Sequence, residues 1–237
     1  MFIWKRLGEV LDRELLAKIN KAHTWRQATI IVTNIADGTQ RLIAEGEAVD
    51  GELADAVQKA FLTGKSGLLE IGGQEVFLNV QIPPPRLVVI GAVHISQALA
   101  QIAKTAGYAL EVIDPRTAFA TPERFENTEL FAEWPEDVLT KRPLDSYCAL
   151  IAVTHDPKID DYPILSALKS NCFYVGALGS RKTHGTRLER LKASGASEEE
   201  LSCIHAPIGL DIGASNPQEI AIAIMAEIVR AFRTRGV

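Results

Sequence analysis

The sequence is poor in cysteine, and the few thiols it has show no pairing pattern. Its 237 residues include three cysteines, Cys148, Cys172 and Cys203, and no two of them form a C-x-x-C motif. An odd number of widely spaced cysteines is atypical of the disulfide frameworks of secreted proteins. We therefore expect a protein of a reducing compartment, and the cytoplasm is the predicted location.

Long apolar runs, basic surface and local metal motifs are also missing. No stretch of about 18 uninterrupted apolar residues occurs, and charged residues fall within the first dozen positions, so neither a membrane span nor a signal peptide is predicted. The net charge of -5 and a pI near 5.6 argue against nucleic acid as a partner. The histidines show no H-x-x-x-H or H-E-x-x-H spacing, so no local zinc motif is predicted.

Two of the three glycines of a dinucleotide-binding turn are absent. Residues 87–113 read as a strand, a turn, a helix and a second strand, but the expected G-x-G-x-x-G is GAVHIS at 91–96. Val93 puts a branched side chain where a pyrophosphate needs bare backbone. A Rossmann-type fold is predicted, with NAD(P) the less favoured cofactor. Gly91 could serve the turn alone, and His94 could bond only a backbone group.

The first 82 residues predict a small α+β domain. Apolar residues at spacings of three and four predict a helix over residues 3–19. Its apolar face leaves two alternatives open, a homodimer contact or a cover for the protein's own core. Two hairpins are predicted around Asp37-Gly38 and Gly72-Gly73, with a short helix over residues 51–62 between them.

Three prolines, residues 83–85, predict an extended linker and a domain boundary. From residue 86 to residue 237 strands alternate with helices, which is typical of a parallel sheet covered on both faces. The predicted fold class is therefore α/β, a Rossmann-like parallel sheet domain preceded by a smaller α+β domain. The predicted strands cover residues 87–90, 109–113, 130–134, 149–154 and 173–177, and the helices cover residues 94–106, 160–169, 184–194 and a final segment after Asn216.

Polar residues and glycines follow several predicted strands. The ligand crevice of an open α/β sheet lies beyond the carboxyl ends of its strands, so we expect these residues to converge there. They are Gly91 and His94; Asp114; Thr154, His155, Asp156 and Asp160; and Gly176, Gly179, Ser180, Arg181 and Lys182. A late loop, residues 207–214, adds Gly209 and Asp211 and is able to bring backbone close to a ligand.

These candidates have structural alternatives. Asp114 lies 23 residues after Gly91 and could reach a ribose hydroxyl, or it could only pair with Arg116. Asp156 could be only the N-cap of the following helix. The glycines, hydroxyl and cations of residues 176–182 are the composition of an anion-binding nest, or of a solvated loop.

Four ordered segments resemble the XdhC/CoxI family of accessory proteins for molybdenum hydroxylases. They are LVVIGAVHISQALA, THDPKIDDYPIL, YVGALGSRKTHGTRLERL and APIGLDIGASNPQEIAIAIMAEI, spread over residues 86–230. The resemblance implies binding of the molybdenum cofactor, as molybdopterin or its nucleotide form, with help in its sulfuration and its delivery to an apo-enzyme such as xanthine dehydrogenase. It implies a cofactor chaperone more than an enzyme, with a cysteine desulfurase as a further candidate partner.

The family motifs imply cofactor contacts for the candidate residues of the late loop and for those of the strand ends except Asp114, whose contact is predicted from its spacing alone. Two positions depart from the family pattern. Val93 replaces a glycine, and Ala48 stands where typical members have a cysteine in a G-G-C-V-E segment. Two rival functions stay open, an NAD(P)-dependent oxidoreductase with His155 and Asp156 as an acid-base pair, and a degenerate scaffold without a ligand.

Overall fold

The chain forms two compact units in the computed structural model, which describes residues 13–235. Of the described residues, 13–83 together with Thr234 and Arg235 form one unit, and Pro84–Arg233 form the other. Each unit is built on its own sheet. Within the described range, no helix is both long enough and apolar enough to cross a membrane.

The first unit is a four-stranded antiparallel sheet with two helices. The sheet order is β2-β1-β4-β3. Its elements are α1 (Arg13–Thr24), β1 (Thr29–Asn34), β2 (Gln40–Ala44), α2 (Glu52–Thr63), β3 (Gly67–Ile71) and β4 (Gln74–Gln81). The pairing of β1 with β2 and of β3 with β4 confirms both predicted hairpins. Residues 3–12 of the predicted first helix lie outside the described residues.

The second unit is a six-stranded parallel sheet, in the order β10-β9-β8-β5-β6-β7. Its strands are β5 (Arg86–Ile90), β6 (Ala109–Ile113), β7 (Glu129–Phe131), β8 (Cys148–Ala152), β9 (Tyr174–Ala177) and β10 (Ile204–His205). Its helices are α3 (His94–Thr105), α4 (Pro135–Lys141), α5 (Pro157–Lys169), α6 (Arg181–Ala193), α7 (Glu198–Ser202) and α8 (Pro217–Arg233). This architecture confirms the predicted α/β fold with a Rossmann-like sheet.

The parallel sheet is buried on both faces because successive side chains of a strand point to opposite sides. In β5, Val88 and Ile90 pack in one core cluster with residues of α5 and α6. Leu87 and Val89 pack in the other cluster, with residues of α3 and α8. All four side chains are fully buried, which explains why this strand is an uninterrupted apolar run in the sequence.

Some elements differ from their predicted bounds. The helices α5 and α6 begin three residues earlier than predicted, because Asp156 and Ser180 act as their N-caps and accept hydrogen bonds from backbone N–H groups. The helices α4 and α7 and the strand β10 were not predicted. The two-residue strand β10 is too short to show a hydrophobic period.

A buried carboxylate attaches the late loop to the second sheet. Glu227 on α8 is 6% exposed. Its Oε2 accepts hydrogen bonds from the hydroxyl of Tyr174 at 2.7 Å and from the backbone N–H of Gly209 at 2.9 Å. The ring of His205 stacks on the ring of Tyr174 with a centroid separation of 4.7 Å. Helix α8, strand β9 and the start of the late loop are therefore held by one side chain.

We expect Tyr174→Phe to lower the free energy of unfolding by about 1–3 kcal/mol, because it leaves a buried carboxylate without one of its donors. The matched control is Tyr162→Phe, since Tyr162 is 38% exposed, and its expected change is within about 0.5 kcal/mol. Urea unfolding followed by circular dichroism measures both values. Equal losses in the two variants would contradict the role given to Tyr174.

Candidate functional site

The carboxyl ends of β5 and β8 meet at the point where the strand order reverses. The chain runs from β5 to β6 and β7 on one side of the sheet and returns to β8 on the other side. Open α/β sheets bind their ligands at this position. The first loop (residues 91–96) follows β5 and the second loop (154–160) follows β8, and we name the segment at the end of the next strand, β9, the third loop (176–182).

Gly91 allows the first loop to pass directly against the second. A Cβ atom at this position would lie 2.8 Å from Cγ2 of Thr154, and the backbone has a φ of +119°. Only glycine combines this conformation with so close an approach. Gly91 therefore serves the turn and the packing of the two loops, and its contact with a cofactor stays a prediction.

Polar groups of the first loop form hydrogen bonds inside the protein. The backbone N–H of Ala92 donates to Oδ2 of Asp114 at 2.7 Å. Ser96, which occupies the place of the third glycine, is fully buried and donates its hydroxyl to the carbonyl oxygen of Gly91. Ser96 thus closes the loop through its own hydroxyl, and the amide of Ala92 is engaged by Asp114.

Asp114 is a buried carboxylate that accepts four hydrogen bonds. Oδ1 accepts from the backbone N–H and from Nε of Arg116, and Oδ2 accepts from Nη2 of Arg116 and from Ala92. Burial raises the pKa of Asp114, but the hydrogen bonds from Arg116 and Ala92 outweigh it, so the pKa is lowered. Four donors fill the acceptor capacity of a carboxylate. Asp114 joins the ends of β5 and β6, and its cofactor contact stays a prediction.

The second loop is built around the buried side chain of Asp160. Its Oδ1 accepts from the hydroxyl of Thr154 at 2.7 Å, and its Oδ2 accepts from the backbone N–H of His155 at 3.1 Å. His155 adopts a left-handed conformation with a φ of +65°, and its side chain is exposed. Asp156 does cap α5, and its backbone N–H also donates to Thr154. The loop therefore fixes its backbone internally and presents His155 to solvent.

The third loop combines close packing with exposed charge. A Cβ atom at Gly176 would lie 2.6 Å from side-chain atoms of Ile208 and Tyr174, so Gly176 is a packing glycine in β9. Ser180 caps α6. Arg181 and Lys182 follow it in the first turn of α6, and both are exposed.

Contacts between the second and third loops bring part of the predicted site together. A Cβ atom at Gly179 would lie 3.9 Å from Nδ1 of His155. The carbonyl oxygen of Leu178 accepts a hydrogen bond from Nη2 of Arg187 at 2.9 Å. Arg187 lies in α6 and is 2% exposed; burial lowers its pKa, and the charge of Asp160 opposes that effect. No pattern in the sequence pointed to Arg187, because an arginine in a polar helix is typically exposed.

The late loop and His94 are placed differently. Gly209 is packed on α8, where a Cβ atom would lie 3.1 Å from the backbone of Ala223. Asp211 and His94 are exposed. No hydrogen bond or ion pair within residues 13–235 links the side chain of either residue to another loop. Their part in a common site stays a prediction.

The edge of the sheet formed by these loops favours a negatively charged ligand. The amino termini of α3, α5 and α6 all lie there, and the N-terminus of a helix carries partial positive charge. Arg181 and Lys182 add two full positive charges. Over the described part of the chain, no group of three or more His, Cys, Asp or Glu side chains is arranged to hold a metal ion.

Asp160 gives the site a testable dependence on pH. Burial raises its pKa to about 6, against smaller opposite effects of Thr154 and Arg187. The unfolded chain releases this proton near pH 4, so between pH 4 and 6 the folded state binds more protons than the unfolded state. Stability from this group is present below pH 4 and is lost as the pH rises through 6.

We therefore expect the free energy of unfolding of the wild type, relative to Asp160→Asn, to fall by on the order of 2–3 kcal/mol between pH 4 and pH 7. Urea unfolding of both proteins across this range measures the difference. A difference that is constant with pH would show that Asp160 titrates like an exposed carboxyl group.

Curated proteins with related sequences cover about two thirds of this chain. The chain is 35% identical to the uncharacterized protein YqeB of Escherichia coli over 67% of its own length and 29% of that protein. It is 32% identical to a probable xanthine dehydrogenase subunit of Bacillus subtilis over 65% of the chain and 45% of that protein. It is 31% identical to the molybdenum cofactor insertion chaperone PaoD of E. coli over 62% of the chain and 40% of that protein. The matched segment is thus less than half of each relative.

A solved structure and a domain family complete the comparison. The crystal structure of a xanthine dehydrogenase from Bacillus halodurans has a similar fold, with a TM-score of 0.63 and 22% identity over 94% of this chain and 66% of that chain. The family described as the XdhC Rossmann domain matches residues 87–228. Because this match covers more than half of the sequence and includes all three loops, the chain belongs to the XdhC family.

Proposed function

We propose that this chain binds the molybdenum cofactor, as molybdopterin or its nucleotide form, and passes it to an apo molybdenum hydroxylase such as xanthine dehydrogenase. The observation that carries the proposal is the pair Arg181 and Lys182 at the start of α6. Both side chains are exposed, and neither forms a hydrogen bond or ion pair with any part of the chain that the structure describes. Two unengaged cations at a helix N-terminus suit a phosphate group.

The residues around this pair fit the phosphate of a pterin cofactor. Gly179 has a φ of +136°, and a Cβ atom there would lie 3.2 Å from Cγ2 of Thr183, so the third loop turns closely onto the first turn of α6 beside the cationic pair. His155 lies beside Gly179 and is presented to solvent by the left-handed backbone of the second loop. The cofactor would supply the redox chemistry of the receiving enzyme, whereas these residues would bind and orient it.

The names of the relatives support this choice of ligand. One of them is named a molybdenum cofactor insertion chaperone and another a probable xanthine dehydrogenase subunit. If the cofactor is sulfurated while bound, a partner such as a cysteine desulfurase would bring the sulfur, since residue 48 is alanine and the exposed thiol, Cys203, follows α7, outside the three loops. Burial raises the pKa of Cys148 to about 11, which makes that thiol unreactive.

A dinucleotide fits this crevice less well. In a dinucleotide-binding fold the glycine-rich loop offers its backbone N–H groups to the pyrophosphate, and an acidic residue after the second strand binds the ribose. Here the N–H of Ala92 is bonded to Asp114, and Asp114 already accepts four hydrogen bonds. NADH binding would require both groups to be released.

We expect the double variant Arg181→Ala/Lys182→Ala to bind molybdopterin at least about tenfold more weakly than the wild type, because charge-assisted hydrogen bonds to the phosphate are lost. Isothermal titration calorimetry under anaerobic conditions, with molybdopterin released from a purified molybdoenzyme, measures the affinity. Mass spectrometry of the ligand that copurifies from a molybdopterin-producing host identifies the form of the cofactor.

The matched control is Lys104→Ala/Lys169→Ala, which removes the same charge from the last turns of α3 and α5. These turns lie at the opposite ends of the helices, so binding should stay within twofold of wild type, about 0.4 kcal/mol. Equal losses of affinity in both double variants would show that the effect comes from the change in net charge and not from the position of Arg181 and Lys182. A wild-type chain that binds NADH and not molybdopterin would refute the proposal.

A further inference from the structure

Arg187 is an interior arginine whose guanidinium group is only partly hydrogen bonded. Its Nη2 donates to the carbonyl oxygen of Leu178 at 2.9 Å. Its Nε and Nη1 are buried and have no hydrogen-bond partner within residues 13–235. A buried cation without full pairing costs free energy, so its position requires a compensating interaction.

The larger compensating charge is the carboxylate of Asp160, which is 1% exposed, and Asp161 adds a smaller one. Arg187 and Asp160 attract each other across the interior without a hydrogen bond between them. Burial raises the pKa of Asp160, and the Arg187 charge opposes that rise. The carboxylate in turn accepts the hydrogen bonds from Thr154 and His155 that shape the second loop.

Other charged groups near Asp160 are bound elsewhere. Arg190, also on α6, donates two hydrogen bonds to Asp161 at 2.8 and 3.1 Å. Arg116, which follows β6, is bound to the carboxylate of Asp114. Both add weaker attraction to Asp160. Arg187 is therefore the buried cation near Asp160 that forms no ion pair with another carboxylate in the described structure, whereas Lys158 is exposed.

We infer that Arg187 is a positioning residue that holds the second and third loops in register around the ligand. One guanidinium group fixes the third loop through the carbonyl oxygen of Leu178 and the second loop through the charge of Asp160. This inference rests on the proposed function, because the loops it positions are those that would hold the cofactor. Arg187 itself does not touch the ligand.

The arrangement makes ligand binding sensitive to the protonation of Asp160. An ionised carboxylate accepts from both Thr154 and His155, whereas a protonated one loses part of its acceptor strength. Removing the Arg187 charge should favour the protonated form and loosen the backbone at His155. It also frees the carbonyl oxygen of Leu178, next to Gly179.

The first experiment measures Asp160 in the ligand-free protein. Carbon-13 NMR of the side-chain carboxyl groups, assigned with Asp160→Asn, gives its pKa. In the wild type we expect the pKa of Asp160 to be about 6. In Arg187→Met this pKa should be higher, and in Arg187→Lys it should lie between the two. Arg190→Met is the matched control, from the same helix and with the same loss of charge, and should leave the pKa close to wild type.

The second experiment measures molybdopterin affinity by calorimetry between pH 5 and pH 8. At pH 7, Arg187→Met should bind about tenfold more weakly than the wild type, Arg187→Lys should recover part of the loss, and Arg190→Met should bind like the wild type. As the pH is lowered, the affinity of Arg187→Met for molybdopterin should begin to fall at a higher pH than the affinity of the wild type does. If Arg187→Met does not fold, Asp160→Asn replaces it, with weaker binding and no acid dependence expected.

The outcomes separate this inference from the proposed function. A wild type that binds no molybdopterin at any pH refutes the proposed function, and the NMR experiment still tests the coupling. A wild type that binds, together with Arg187→Met that shows the same affinity and the same pH profile, refutes the positioning role. An unchanged Asp160 pKa in Arg187→Met refutes the electrostatic link.

Discussion

Two carboxylates buried at the edge of the parallel sheet determine the shape of the candidate site. Asp114 and Asp160 are 0% and 1% exposed, and a buried carboxylate is tolerated only when donors surround it. Asp114 takes its donors from Arg116 and the first loop, and Asp160 takes its donors from the second loop. Because the loops must supply these donors, their backbones are fixed. The side chains exposed at the edge are those that do not bond to either buried carboxylate.

This constraint places the proposed anion-binding surface away from the position it has in a dinucleotide-binding fold. The first loop commits the N–H of Ala92 to Asp114 and the carbonyl of Gly91 to Ser96. The third loop, in contrast, ends in an exposed cationic pair at the start of α6. The fold is thus that of a nucleotide-binding sheet, while the charge suited to a phosphate lies two strands away from the usual position.

Much of this architecture could be predicted from the sequence, because uninterrupted apolar strands, the Asp-Gly turn and the capped final helix are local signals. The loop residues could also be assigned to one edge, since parallel strands all end there. The partners of the polar residues could not be predicted. The set of donors on Asp114, the left-handed backbone of His155 and the burial of Arg187 depend on contacts between segments that are distant in sequence. The short strand β10 and the helices α4 and α7 carry too few residues for a periodic pattern.

The most direct test of the central claim is an NMR titration of the nitrogen-15-labelled chain with molybdopterin. If the third loop holds the phosphate, the largest amide shift changes will be at Gly179, Arg181 and Lys182, with smaller ones at His155. The largest changes at the first loop, or in the polar cavity of about 780 Å³ that Gln101, Lys104 and Glu126 help to line, would contradict it.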